Sequence, residues 1–136
     1  MLPDYVTRPF RLYAVFRGRS TRREYWSFAI VALAVLFAAV CLGGALDGPG
    51  SKSGTVTSFV LVGLALLSPG VALKSRRLHD IGLSAWWMLA TCVPLVGGVI
   101  DLFFGLTPGD AGENRFGPDP RASEPAADPP AEVATG

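Results

Sequence analysis

Residues 74–87 read KSRRLHDIGLSAWW. The stretch separates two long apolar runs, 55–73 and 85–106, and gathers three basic residues, the only histidine and two adjacent tryptophans. A third apolar run, 25–46, lies upstream. The runs are 19–22 residues long, and a helix needs about 20 to cross a hydrocarbon core of roughly 30 Å. A core helix of a soluble protein would carry a polar face every few residues, and none of the runs does. Strands of a membrane barrel would alternate every second residue, and the runs do not. The pattern predicts an all-α integral membrane protein with three transmembrane helices, since only helices or closed barrels satisfy the backbone in lipid.

Composition agrees. Half of the 136 residues are hydrophobic and 17% are charged, and the mean hydropathy is +0.40. The net charge of +1 hides a strong segregation. Residues 1–24 hold six arginines (Arg8, Arg11, Arg17, Arg19, Arg22 and Arg23) against Asp4 and Glu24. Residues 105–136 hold six acids against Arg115 and Arg121, and the three runs between contain one charge, Asp101. Cys41 and Cys92 both fall inside apolar runs, which predicts two unpaired, buried thiols.

Residues 1–24 form a basic, aromatic head broken at Pro9 and Gly18, so any helix there is a turn or two. Its rings suit the headgroup region while its arginines meet anionic phospholipid headgroups; nucleic acid is not expected as a partner. Thr21 and Glu24 form a capping box that starts the first span, with Tyr25 and Trp26 at the interface. The Arg22-Arg23 pair partly resembles an export signal, but the apolar run is too long for a signal-peptide core and more spans follow. Within the first run, Ala34/Ala38 and Ala39/Gly43 are small residues four apart that admit a neighbouring helix. Residues 47–54 are a short polar turn. Ser68-Pro69-Gly70 predicts a kink or unwinding in the second helix. Pro94 and Gly97-Gly98 predict a bend in the third, with a re-entrant hairpin as the alternative. Residues 107–120 are turn-rich, and residues 121–136, rich in Pro, Ala and acids, are expected to be disordered.

In the central stretch, Lys74, Arg76 and Arg77 suit the C-terminal end of helix two. Asp80 and Gly82 make the turn, Ser84 is the expected N-cap of helix three, and Trp86 and Trp87 anchor it at the interface. Basic segments (the head and the 74–84 loop) alternate with poor ones, so the head and loop are expected on the cytoplasmic side and the C-terminus outside. FRGRSTRREYW (16–26), RRLHDIGLSAWW (76–87) and GENRFGPDP (112–120) together resemble three signatures of domain-of-unknown-function family 805. The likeness covers about residues 10–120. It implies a small bacterial inner-membrane protein with no activity to carry over, and Asp101 departs from the apolar segment it would predict.

Chemistry is thin. His79 beside Asp80 invites a catalytic reading, but no second histidine or nucleophile accompanies it, and a metal needs three or four ligands. No catalytic residue, metal or cofactor is expected. Glu24 and Asp80 are expected to pair with arginines of the other cytoplasmic segment, drawn from Arg17, Arg19, Arg22, Arg23, Arg76 and Arg77, with the surplus meeting lipid phosphate. Asp101 is the one charge within a span and so a functional candidate; a continuous helix carries it about 22 Å past Trp86, near the outer interface. The reading is a structural or interaction component, with a subunit of a small oligomeric transporter or channel as the alternative and self-association or a membrane-protein partner as its corollary.

Overall fold

A computed structural model describes residues 3–123. Four α-helices and two 3-10 segments follow in order: α1 (Asp4–Arg11), α2 (Arg22–Leu46), α3 (Ser53–Asp80), a 3-10 segment (Ala85–Cys92), α4 (Gly97–Leu106) and a last 3-10 turn (Pro120–Ser123). Residues 25 and 28 long in α2 and α3 give lengths of about 37 and 42 Å. Both helices are long and apolar enough to cross a membrane. Only 11% and 17% of their apolar windows are buried, which is how helices look when lipid rather than protein covers them.

α2 starts where its capping box predicts. The Glu24 amide donates to Thr21 Oγ1 and the Glu24 carboxylate accepts from the Thr21 amide. At the far end Asp47 accepts from the Gly54 amide (2.6 Å), the Thr55 amide (3.1 Å) and the Thr55 hydroxyl (2.6 Å). The hydroxyl bond, then the two amides, hold the Asp47 carboxyl below its ordinary value. There α2 and α3 touch backbone to backbone: a Cβ at Gly43 would lie 2.5 Å from the Gly54 carbonyl oxygen. The near end is closed by Tyr25, Phe28 and Leu73. α3 stays helical through Pro69, with no unwinding, and the Ser68 hydroxyl donates to the Tyr13 carbonyl instead. α1 lies across the near end of this pair. Its Pro9 is buried, and Phe10 meets Phe28 at 5.3 Å between ring centroids.

Residues 85–106 are not one spanning helix. They make a hairpin of two short limbs, the Ala85–Cys92 segment and α4, joined at residues 93–96. Each limb is only about 15–16 Å long, half of a hydrocarbon core. The limbs meet where Gly97 leaves no room for a Cβ against the Thr91 carbonyl. Leu95 turns the tip with φ 69° and is fully exposed. α4 therefore returns to the end it started from: the Trp26 indole donates to the Gly105 carbonyl (3.2 Å) and Arg22 to the Leu106 carbonyl (3.2 Å). Of the two geometries open to Pro94 and Gly97-Gly98, a bent helix and a hairpin, residues 85–106 form the hairpin.

Three smaller expectations change with it. Residues 107–119 lie at the same end of α2 and α3 as the head, not at the opposite end. Ser84 precedes the 3-10 segment but makes no side-chain cap. Cys41 and Cys92 are free but exposed on the outer surface. The expectation of a disordered tail concerns, beyond Ser123, residues outside those described; Arg121 itself is held by Asp119 and by the carbonyls of Gly109 and Asp110.

Candidate functional site

The densest chemistry lies where the head, the end of α3 and residues 107–120 converge. Asp80 is the last residue of α3 and Arg77 stands one turn before it, so the two share a helix face. Arg77 donates to Asp80 Oδ2 at 2.6 Å. Arg19, in the extended residues before α2, donates to Asp80 Oδ1 at 3.0 Å through Nε. The side chains of Arg19, Arg77 and Asp80 are 1%, 0% and 4% exposed. One carboxylate thus neutralises half the charge of two buried guanidinium groups.

The remaining donors go to backbone carbonyls. Arg77 Nε reaches the Phe104 carbonyl (3.0 Å), and a terminal nitrogen reaches that of Thr107. These are orphan acceptors at the end of α4, where a cation also suits the helix dipole. Arg19 donates to the carbonyls of Asp110 and Gly112. The Asp110 amide in turn donates to the Asp80 carbonyl at 2.8 Å. Gly109 passes so close to the Asp80 carboxylate that a Cβ has no space. Gly105 likewise lies under Tyr25 and Trp26.

A second layer surrounds Glu24, which is 1% exposed. Its Oε2 accepts from the Ser20 hydroxyl (2.6 Å) and from Arg8 (3.3 Å). Arg76 is buried alongside, with Nε on the Ala72 carbonyl (3.4 Å). Its two terminal nitrogens and Glu24 Oε1 find no hydrogen-bond partner among the described residues. The Ser20 amide donates to the Arg76 carbonyl at 3.1 Å. His79 has a structural setting: Nδ1 bonds the Gly18 carbonyl (3.1 Å) and the ring stacks on Phe116 at 4.0 Å. Asn114 reaches back to the His79 carbonyl (3.0 Å). Arg121 donates to Asp119, and this bond holds the Asp119 carboxyl at about 2.

The residues singled out by sequence divide accordingly. Arg19, Arg77 and Asp80 form one cluster, and Glu24 and Arg76 lie in another. Arg17, Arg22 and Arg23 are exposed, and Arg22 and Arg23 line a cavity beside the cluster. Asp80, expected both to turn the chain and to pair with an arginine of the head, pairs with Arg19 of the head and also with Arg77 of its own helix, whereas Glu24 pairs with Arg8 of its own segment. Asp101 sits 2.7 Å from Lys74, at the near end and not at the far interface, because the hairpin turns it back. Sequence reasoning missed Arg8 as the partner of Glu24, Lys74 as that of Asp101, and the close approaches at Gly105 and Gly109. Only the glycine-rich composition of residues 105–117 hinted at the last two. Asp80 is engaged, among the described residues, by Arg19 and Arg77, and Glu24 by Arg8 and the Ser20 hydroxyl. Among the described residues no group of three or more His, Cys, Asp or Glu is placed to hold a metal ion. What the arrangement does is clamp three segments together and leave an arginine rim around a cavity of about 230 Å³.

Comparison with known proteins matches the same segments. A family model described as "Protein of unknown function (DUF805)" matches residues 13–118. The inner membrane protein YhaH of Escherichia coli (strain K12) is 37% identical over 118 residues, covering 87% of this chain and 97% of that protein. The inner membrane protein YhaI of the same strain is 38% identical over 113 residues, covering 80% and 88%. No solved structure matches the chain.

Proposed function

Because the chain belongs to this family of proteins of unknown function, with inner-membrane relatives, we propose that it is a structural or interaction component of the bacterial inner membrane. In this reading two spans and a half-membrane hairpin carry a rigid polar platform on the cytoplasmic face, and its exposed arginines meet anionic headgroups. The observation that carries it is the buried Arg19–Asp80–Arg77 cluster, which ties all three polar segments to one end of the helix pair. That end is also the basic one, as cytoplasmic ends are. Both the head and residues 107–123 then lie inside, which replaces the outward C-terminal segment drawn from three spans.

Each arginine near an anionic surface contributes about 1 kcal/mol, screened by salt. The test uses the native tryptophans. In reconstituted vesicles, brominated phosphatidylglycerol should quench Trp26, Trp86 and Trp87 more strongly than brominated phosphatidylcholine. The difference should shrink in high salt and in an Arg17→Gln/Arg22→Gln variant. Equal quenching by both lipids at low salt refutes the headgroup contact. A second reading, a subunit of an oligomeric transporter, is favoured only by the Lys74–Asp101 pair at membrane depth. It requires self-association, so a strict monomer in nanodiscs removes it.

A further inference from the structure

A cavity of about 440 Å³ opens between α2, α3 and the hairpin. Its space is made by small residues, Ala29 and Ala32 on α2 and Gly63 and Gly70 on α3. Its polar groups gather at one end. Lys74 Nζ lies 2.7 Å from Asp101 Oδ1, and the Tyr25 hydroxyl approaches the same carboxylate.

Depth can be read along the helices. Lys74 is six residues before the end of α3 and Asp101 five before the end of α4, so both lie about 8–9 Å inward of the arginine platform. Leu36 and Gly63, also on the cavity wall, lie about 21–26 Å inward. The slot therefore has a charged mouth just below the headgroups and an apolar shaft running towards the bilayer centre. That is the outline of one phospholipid chain with its phosphate at the mouth.

An ion pair placed within the span region is costly and marks a function. Snorkelling explains Lys74 alone, but not a carboxylate brought to it by a hairpin. The Lys74 and Asp101 side chains are 24% and 36% exposed, so the mouth is accessible. The Tyr25 hydroxyl also faces Asp101, so the carboxylate keeps a polar neighbour when the Lys74 ammonium turns to a phosphate, and its 36% exposed side chain leaves room for that turn.

We propose that this slot binds a single phospholipid of the cytoplasmic leaflet, with one acyl chain in the cavity and its phosphate on Lys74. The proposal rests on the membrane embedding proposed above. Embedding is read separately, by quenching with brominated lipid of either headgroup, so the two can fail independently.

The test is native mass spectrometry of the full chain extracted in mild detergent, with unfolding midpoints recorded for every variant. The wild type should retain one phospholipid. Lys74→Gln should lower that occupancy at least tenfold, and Lys74→Arg should keep it. Gly63→Leu should also expel the lipid without unfolding the protein, because nothing lies within 4 Å of a Cβ built there. Gly98→Leu has equal free space but does not line the cavity, and should keep the lipid. The proposal is overturned if the wild type retains no lipid, if Lys74→Gln or a folded Gly63→Leu retains it at the wild-type level, or if Gly98→Leu loses it equally. Should Gly63→Leu fail to fold, the contrast between Lys74→Gln and Lys74→Arg decides alone.

Discussion

Replacing Asp80 by Asn tests the ion cluster most directly. The change keeps shape and one acceptor oxygen but removes the negative charge shared by Arg19 and Arg77. Both cations are essentially without solvent contact, so neither can recover its loss through water. Removing one partner of a buried pair costs about 3–5 kcal/mol, because the remaining charge stays buried without compensation. The lower half of that range is the better expectation here, since Arg19 keeps the carbonyls of Asp110 and Gly112 and Arg77 keeps that of Phe104. A loss of about 3 kcal/mol raises the open population roughly 150-fold, at a factor of ten per 1.4 kcal/mol. The assay is tryptic cleavage after Arg115 in nanodiscs, since the side chain of Arg115 is tied to the Gly82 carbonyl in the closed form. Cleavage under conditions where opening and closing are fast follows the open population. A rate within about threefold of wild type, or an unfolding midpoint that does not move, would show that Asp80 is not what holds the segments together.

Other expectations follow from single contacts. Glu24→Gln should destabilise by about 1.5–3 kcal/mol, because it weakens the charge-assisted bonds from Ser20 and Arg8 and removes the carboxylate whose charge favours buried Arg76. Arg8→Gln should cost under about 1 kcal/mol, because Arg8 is partly exposed and Arg76 stands ready beside Glu24; unfolding midpoints that fail to separate the two variants contradict this. His79→Ala should lose about 1 kcal/mol of stacking and the Gly18 bond. His79→Phe should recover part of that loss, whereas a catalytic histidine would be rescued by neither stacking nor size. Gly97→Ala should push the Thr91 carbonyl away and splay the hairpin. Spin labels at Leu89 and Val99 would report a longer mean distance, and an unchanged distance would dismiss the tight crossing.

What could be read in the sequence was local. The Thr21–Glu24 cap, the positive φ of Gly82 (73°) and the small-residue contact at Gly43 each need only a few neighbouring residues. Apolar length located three runs, but length cannot separate one span of 22 residues from two limbs of half that depth. The choice rests on contacts distant in sequence: Thr91 against Gly97, Lys74 with Asp101, and Arg77 on the end of α4. His79 was opaque for the same reason, since its partners Gly18 and Phe116 lie 61 residues before it and 37 after. Asp80 reads both as turn chemistry and as a partner for a head arginine, but which arginine it takes, and its cover by Gly109, depend on contacts distant in sequence.

The distribution of these contacts follows from the solvent. Two apolar helices in lipid gain nothing from burying leucine against leucine, since the acyl chains offer the same surroundings. Their apolar stripes therefore cannot fix how far one slides or rotates past the other. Small residues and polar groups must do so, and α2 and α3 place them at opposite ends. At the far end Gly43 meets Gly54 and Asp47 caps α3. At the near end Arg19 from one side and Arg77 from the other meet on Asp80. Two fixed ends determine one register, and the hairpin inserts between them because its closing carbonyls are the acceptors that Arg77, Arg22 and Trp26 require. This accounts for why the rare residue types gather in three short segments without forming a reaction centre. Among the described residues, these are groups whose interactions distinguish a protein neighbour from lipid.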